Sequence, residues 1–543
     1  IGMIMLENIR AAMAQDVYIA KGGQETISPR FTYHGYRFIE ITGIDKPLPV
    51  GAVKGVVLSS IHELASRYET SNTQVNQLWK NITWSSYGNF LSIPTDCPQR
   101  NERLGWAGDI SVFSRTATYL ADVPQFLRRY LRSMRDVQRT DGRFPDIAPL
   151  GGGFGGLLWG SAGITVPWEC YQQYGDTILL SEHYDAMKRY IQYIIDNTIE
   201  TETNLIVQTR SWGDLCDWLG LEDEKNDKSL VWEAYFIYDL ELMAKMATVL
   251  GKVTDAEWFR ELHAARKDFF NKTYIEPETG KTLFSAFVPE KKGSHIDIQT
   301  SYVLPLAFNI IDEENRNKVI ANLAETVRRE NTTDRGQQCP SYSLMTGFIG
   351  TSWINKALSD YGHSDLAYRL LQQTSYPSWL YSIEQGATTI WERLNSYTRT
   401  DGFGGNNRMN SFNHYSFGAV GAWMYNYSLG IQRDETFPGF KQFVLKPMPD
   451  PTGKMTYARG YYDSMYGRIE SGWKVESGVI RYTFTVPANT TATLYLPTAS
   501  LRDVREKTKP VRKCKGVEFI SEGNGEVVLK LLSGSYSFEV KKD

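Results

Sequence analysis

"ADVPQFLRRYLRSMRDVQRTDG", residues 121–142, decides the architecture. Phe126, Leu127, Tyr130, Leu131, Met134 and Val137 recur at intervals of three and four, the period of a helix with one buried face. Pro124 suits a first helical turn, where its missing N–H costs nothing, and Gly142 follows the expected end. The same signal returns in "SEHYDAMKRYIQYIIDN" (181–197) through Tyr184, Met187, Ile191 and Ile194. In "TDAEWFRELHAARKDFF" (254–270), Thr254 and Glu257 stand at capping-box spacing. Roughly a dozen such segments run between residues 70 and 435, as expected of stacked αα-hairpins.

On either side the period changes to two. "RFTYHGYRFIEIT" (30–42) and "KGVVLSSIHEL" (54–64) alternate apolar and polar residues, which predicts half-buried strands. "KVESGVIRYTFTVPANTTATLYLPTA" (474–499) and "GEVVLKLLSGSYSFEV" (525–540) do the same between Gly, Pro and Asn breaks, a β-sandwich pattern. The expected organisation is therefore a partial N-terminal β-sandwich or linker over 1–68, an all-α domain over 69–435 and a C-terminal β-sandwich over 436–543.

With 543 residues, 42% hydrophobic and 22% charged, the chain can bury a large core. A net charge of −3 leaves no basic excess to meet a phosphate backbone, so nucleic acid is not an expected partner. No apolar run reaches the roughly 20 residues of a membrane span. "IGMIMLENIR" has no signal-peptide pattern, yet Ile1 is not an initiator and β-like sequence follows at once, so the chain reads as a fragment. That leaves its compartment open between bacterial cytoplasm, periplasm and secretion. Cys97, Cys170, Cys216, Cys339 and Cys514 are scattered and odd in number, which predicts free thiols rather than a disulfide framework or zinc site. "GGGFGG" (151–156) lacks the strand–helix context of a dinucleotide loop and reads as a mobile loop near a cleft, and "DEKNDK" (223–228) as a solvated charged turn.

The chemistry concentrates in the middle zone. "DCPQRNERLGWAGD" (96–109) crowds Asp96, Glu102 and Asp109 with Arg100 and Arg103 around Trp106. Far downstream, "EQGATTIWERLNSY" (384–397) offers Glu384 and Glu392, the latter between Trp391 and Arg393. Further aromatic loops, "GLLWGSAGITVPW" with Trp159 and "SWGDLCDWLG", also carry or adjoin acids. Rings beside carboxylates suit a sugar, whose C–H face stacks while its hydroxyls need fixed acceptors. Glycoside hydrolysis needs one protonated and one ionised carboxyl; burial against a ring favours the first state and a flanking Arg the second. The residues alone leave the assignment open.

"DCPQRNERLGWAGD", "GATTIWERLNS" and "SFNHYSFGAVGAW" together resemble the bacterial α-L-rhamnosidases of glycoside hydrolase family 78. "YHGYRFIEITG", "VPWECYQQYGD", "GDLCDWLG" and "PGFKQFVLKPMPD" extend the resemblance over nearly the whole chain. The resemblance implies an (α/α)6 barrel that releases terminal α-L-rhamnose with inversion, Glu102 as general acid and Glu392 as general base. It further implies Asp96, Trp106 and His414 at the sugar, with Asp214 or Asp217 as an additional acidic ligand. Arg100, Asp109, Trp159 and Trp391 complete the expected substrate-binding set. Inversion sets the two carboxyls roughly 6.5–9.5 Å apart. The family commonly places Asp before the acid where this chain has Asn101, one negative charge fewer. No metal or organic cofactor is expected; a carbohydrate is the expected partner, and a homodimer is left open. Another inverting barrel glycosidase and a non-catalytic carbohydrate-binding protein are the alternatives.

Overall fold

The computed structural model describes residues 4–209, 213–404, 407–506 and 509–541. Helices fill the chain from Thr73 to Ser428, and their burial alternates along it. Pro124–Asp136 buries only Leu127, Tyr130, Leu131 and Met134, with Pro124 in its first turn, as its periodicity predicts. Ala107–Leu120, just before it, is buried at every residue except Arg115. Ala162–Tyr174 and Lys228–Val249 are likewise buried nearly all round, whereas Thr177–Thr198 and Val253–Tyr274 bury one face. A helix buried all round has neighbours on every side, so it belongs inside; a one-sided helix lines the outside.

Contacts among the inner elements run in a ring. Ala107–Leu120 touches Ala162–Tyr174, which touches Lys228–Val249; next come Gln299–Ala307, Phe348–Thr351 with Ile354–Asp360, and Ser416–Val420, which returns to Ala107–Leu120. Outer helices pack beside inner helices adjacent in sequence, as Val253–Tyr274 does with Lys228–Val249 and Thr177–Thr198 with Ala162–Tyr174, while Thr73–Asn89 packs against Trp379–Glu384. One close approach requires glycine: a Cβ on Gly108 would sit 2.5 Å from the Trp159 ring.

Two local expectations are corrected. Val253–Tyr274 starts one residue before Thr254, so Thr254 lies inside the helix and its hydroxyl caps nothing there. The run 223–228 is not a solvated turn: Asn226 and Asp227 are buried, and Asp227 caps Lys228–Val249 by accepting from Ser229 N while its second oxygen accepts from Ser285.

After the helices come two packed sheets. One follows the order Ser66–Thr70, Tyr457–Ser464, Gly467–Glu476, Val479–Val486, Gly534–Lys541, Val504–Glu506, Lys509–Pro510. The other runs Val517–Gly523, Glu526–Leu531, Thr491–Leu496, Gln442–Leu445, Ile431–Arg433. Tyr482, Phe484 and Phe538 of the first and Leu494, Val527 and Leu529 of the second are buried, with outward residues between them. This is the alternation of a sheet with one packed face. Ser66–Thr70 precedes every helix yet pairs antiparallel with Tyr457–Ser464, Tyr68 opposite Gly460.

The alternating sequence before it behaves differently. Among the described residues no strand precedes Ser66–Thr70, and Ile19, Phe31, Phe38, Val56 and Val57 are exposed. Alternation supplies a face, but a ladder also needs a strand alongside, and residues 4–65 make only single contacts such as Ser60 N to Phe90 O and the isolated bridge of Leu64 with Ala121. All five cysteines are free thiols. No helix among the described residues is long and apolar enough to cross a membrane.

Candidate active site

The loop between Pro94 and Ala107 connects an outer helix to an inner one, and the loop after Glu384 reaches the same end of the ring. Arg100 joins them. Its guanidinium is buried; Nη1 donates to Glu392 Oε2 at 2.9 Å, and Nη2 lies 2.9 Å from Glu102 Oε2 and 3.3 Å from Asp96 Oδ2. Nη2 also donates to Glu392 Oε1 at 3.4 Å, so the nearest oxygens of Glu102 and Glu392 are at most about 6.3 Å apart. Trp106, at the start of the inner helix, donates from Nε1 to the other Glu102 oxygen at 2.9 Å.

Asp96 is anchored from three sides. Its Oδ1 accepts from Leu104 N at 2.8 Å, and Oδ2 accepts from the Cys97 thiol at 2.7 Å and from Arg100. Burial pushes the Asp96 carboxyl up, Glu102 adds to this, and Arg100 and His414 oppose it. Burial also raises the Cys97 thiol well above its ordinary value, so it stays protonated as a donor. Asp96, Cys97 and Glu102 bring ligand atoms within 4.8 Å of one another, the one such group among the described residues. Arg100 already supplies the positive charge there, and a protonated thiol is a poor ligand, so the donor set does not fit a metal ion.

His414 and Asp109 close the second side. His414 Nε2 lies 3.0 Å from Asp109 Oδ1, which also accepts from Ser416 Oγ at 3.0 Å. Burial disfavours the imidazolium, but the bond to Asp109 and the charges of Asp109, Glu392 and Asp96 outweigh it and raise the His414 pKa. Phe348 packs against the imidazole with ring centres 5.2 Å apart. Phe154, from the glycine-rich loop, meets Trp106 edge-on at 5.5 Å, which puts that loop at the rim.

The structure thus brings Asp96, Arg100, Glu102, Trp106, Asp109, Glu392 and His414 together. Trp391 adjoins them but is buried edge-on against Phe412. Others stand apart. Trp159 is only 2% exposed, wedged on Gly108 beneath the site, with no open face for a sugar. Asp217 is buried and accepts from Gly347 N, Gly350 N and Thr300 Oγ1, so it ties loops together. Asp214 is exposed beside Lys228, and Ser211 and Trp212 of the same stretch lie outside the described residues. Glu384 accepts from Gln74 on the outside.

Sequence reasoning missed Arg10, whose Nη1 lies 2.9 Å from Glu102 Oε2. "NIRAA" carries no charge crowding and no motif that would have singled it out.

The family described as bacterial alpha-L-rhamnosidase 6 hairpin glycosidase domain matches residues 63–428. The chain belongs to the bacterial α-L-rhamnosidase family. The C-terminal domain of that family matches 430–510 and its concanavalin-like domain 1–59. The chain is 37% identical to an alpha-L-rhamnosidase of Streptomyces avermitilis over 99% of its own length and 48% of the relative's. It is 34% identical to one of Formosa agariphila over 99% of its length and 56% of that protein. The crystal structure of the Streptomyces avermitilis alpha-L-rhamnosidase complexed with L-rhamnose superposes with a TM-score of 0.87, covering 99% of this chain and 48% of that one. This rhamnosidase-family chain therefore spans about half the length of the curated relatives it matches.

Proposed function

We propose that the protein releases terminal α-L-rhamnose from rhamnosides by hydrolysis with inversion, on an (α/α)6 barrel whose inner ring carries the site. One observation bears most of the weight: the buried Arg100 lies 2.9 Å from both Glu102 and Glu392, carboxylates from loops far apart in sequence. Fold stability alone gives no reason to gather Asp96, Glu102 and Glu392 on one guanidinium, because desolvating such groups is costly.

In this reading Glu102, beside the half-buried Trp106, gives a proton to the glycosidic oxygen. Glu392, fixed by Arg100 and by its own N–H to Ser411 O at 2.9 Å, takes a proton from water attacking the opposite face. Positive charge developing on the sugar ring is steadied by the Asp96 and Glu392 carboxylates, with the Asp109–His414 pair packed behind them. Asp214 remains available for a ligand role; Asp217 and Trp159 act through packing.

The test is proton NMR of an aryl α-L-rhamnopyranoside during the first turnovers. β-Rhamnose appearing before mutarotation supports inversion. First-formed α-rhamnose makes Glu392 a nucleophile instead, and no release from any α-L-rhamnoside refutes the activity.

A further inference from the structure

We propose that Arg10 is a positioning residue for the acid, delivered to Glu102 by the N-terminal segment; this rests on the reading of Glu102 as proton donor. Glu102 has three donors within reach. Trp106 and Arg100 lie within four residues of it on its own loop, and Arg100 is shared with Asp96 and Glu392. Arg10 comes from a different element, and its Nη1 reaches Glu102 Oε2 at 2.9 Å.

Arg10 is itself fixed. Its Nε donates to Arg408 O at 2.9 Å and its Nη2 lies 3.1 Å from Met409 Sδ. One turn earlier, Glu7 Oε2 accepts from Asn407 Nδ2 at 2.9 Å, so Glu7–Ile9 seats on Asn407–Met409. Arg10 follows with φ 56°, the left-handed region that turns its side chain away from the short helix. The same turn offers Met409 O to Arg100 at 3.3 Å. Arg10 therefore ties the acid to the loop that also carries Glu392.

A second clasp lies nearby. The Arg103 guanidinium covers the Tyr33 ring at 4.4 Å, and the Gly35 backbone presses so closely on Gln99 that a Cβ there would come within 2.8 Å of the Gln99 Cβ. The N-terminal segment thus grips the catalytic loop at two points, one of them the acid. The Arg10–Glu102 pair is part-buried, 24% and 16% exposed. What it fixes is direction, and misplacing a reacting group by about 1 Å costs on the order of 10²-fold in rate.

Arg10→Met and Arg10→Lys are assayed beside Glu102→Gln on two rhamnosides, one with an alkyl leaving group that needs protonation and one with a nitrophenyl group that does not. Arg10→Met is expected to lose about 10–100-fold in kcat on the alkyl substrate and much less on the nitrophenyl one, with KM little changed. Arg10→Lys is not expected to restore kcat on the alkyl substrate, because an ammonium cannot serve Glu102, Arg408 O and Met409 together. Unchanged alkyl kinetics in Arg10→Met, or equal losses on both substrates with a lowered Tm, overturn the proposal. If Arg10→Met does not fold, wild-type kcat in Arg10→Lys overturns it. If Glu102→Gln keeps the wild-type rate on the alkyl substrate, the acid assignment itself has failed; if it is inactive while Arg10→Met is unaffected, only the role of Arg10 has.

Discussion

Arg100 donates to Glu392 at 2.9 Å although 292 residues of chain separate them. A lysine has the charge but not the planar fork that serves Glu392, Glu102 and Asp96 together. Arg100→Lys is therefore expected to lose on the order of 10²-fold in kcat/KM, and Arg100→Gln at least as much. Near-wild-type rates for Arg100→Lys on an aryl rhamnoside would mean that charge alone suffices.

Glu102 and Glu392 are separable by leaving group. Removing an acid matters most when the aglycone needs its proton, so Glu102→Gln should lose about 10²–10⁴-fold more on an alkyl than on a nitrophenyl rhamnoside. Glu392→Gln should lose similarly on both, since water activation does not depend on the aglycone. Parallel losses for the two variants would remove the distinction between acid and base.

His414 supplies a pH signature. Asp109 and the nearby carboxylates raise its pKa above the ordinary 6.5 despite burial. A group raised in the folded state contributes stability in full below its unfolded pKa and loses it as pH rises through the folded value. The Tm difference between wild type and His414→Gln should therefore be largest below about pH 6.5 and shrink on the alkaline side. A difference that grows with pH would contradict the Asp109 pairing.

Much of this was legible in the sequence. The helix Pro124–Asp136 follows from periodicity, and the gathering of Asp96, Glu102, Glu392 and His414 is what the family resemblance of their motifs implies. That Asp217 ties loops through backbone N–H groups and Trp159 packs on Gly108 was not legible, because a buried acid that binds backbone N–H groups and one that binds a hydroxyl have the same sequence context. Arg10 was invisible for another reason: its role depends on where a distant segment crosses the loop, and spacing along the chain says nothing of that.

Away from the site, Glu169 tests the interior. It lies between Arg115 at 2.7 Å and Arg433 at 2.6 Å. Burial opposes its charge, but the two guanidiniums prevail and hold its pKa at about 2 against an ordinary 4.5. Glu169→Gln strands both cations and is expected to cost about 3–5 kcal/mol with kcat unchanged. The stabilisation from Glu169 is complete above pH 4.5 and fades as pH falls toward 2, so the wild-type advantage in chemical denaturation should narrow over that interval. An advantage constant from pH 7 to 3 would rule out the linkage.

Ser66–Thr70 sits at the edge of a sheet whose remaining strands all begin at Tyr457 or later. During synthesis this strand leaves the ribosome first and waits for its partner while the whole helical ring is made; Glu69 and Tyr457 are 388 residues apart. At the roughly 5–20 residues per second of translation, that wait lasts tens of seconds. The ring is thus threaded between two strands that zip only at the end, and a cut at residue 68 would leave part of that seam on each fragment.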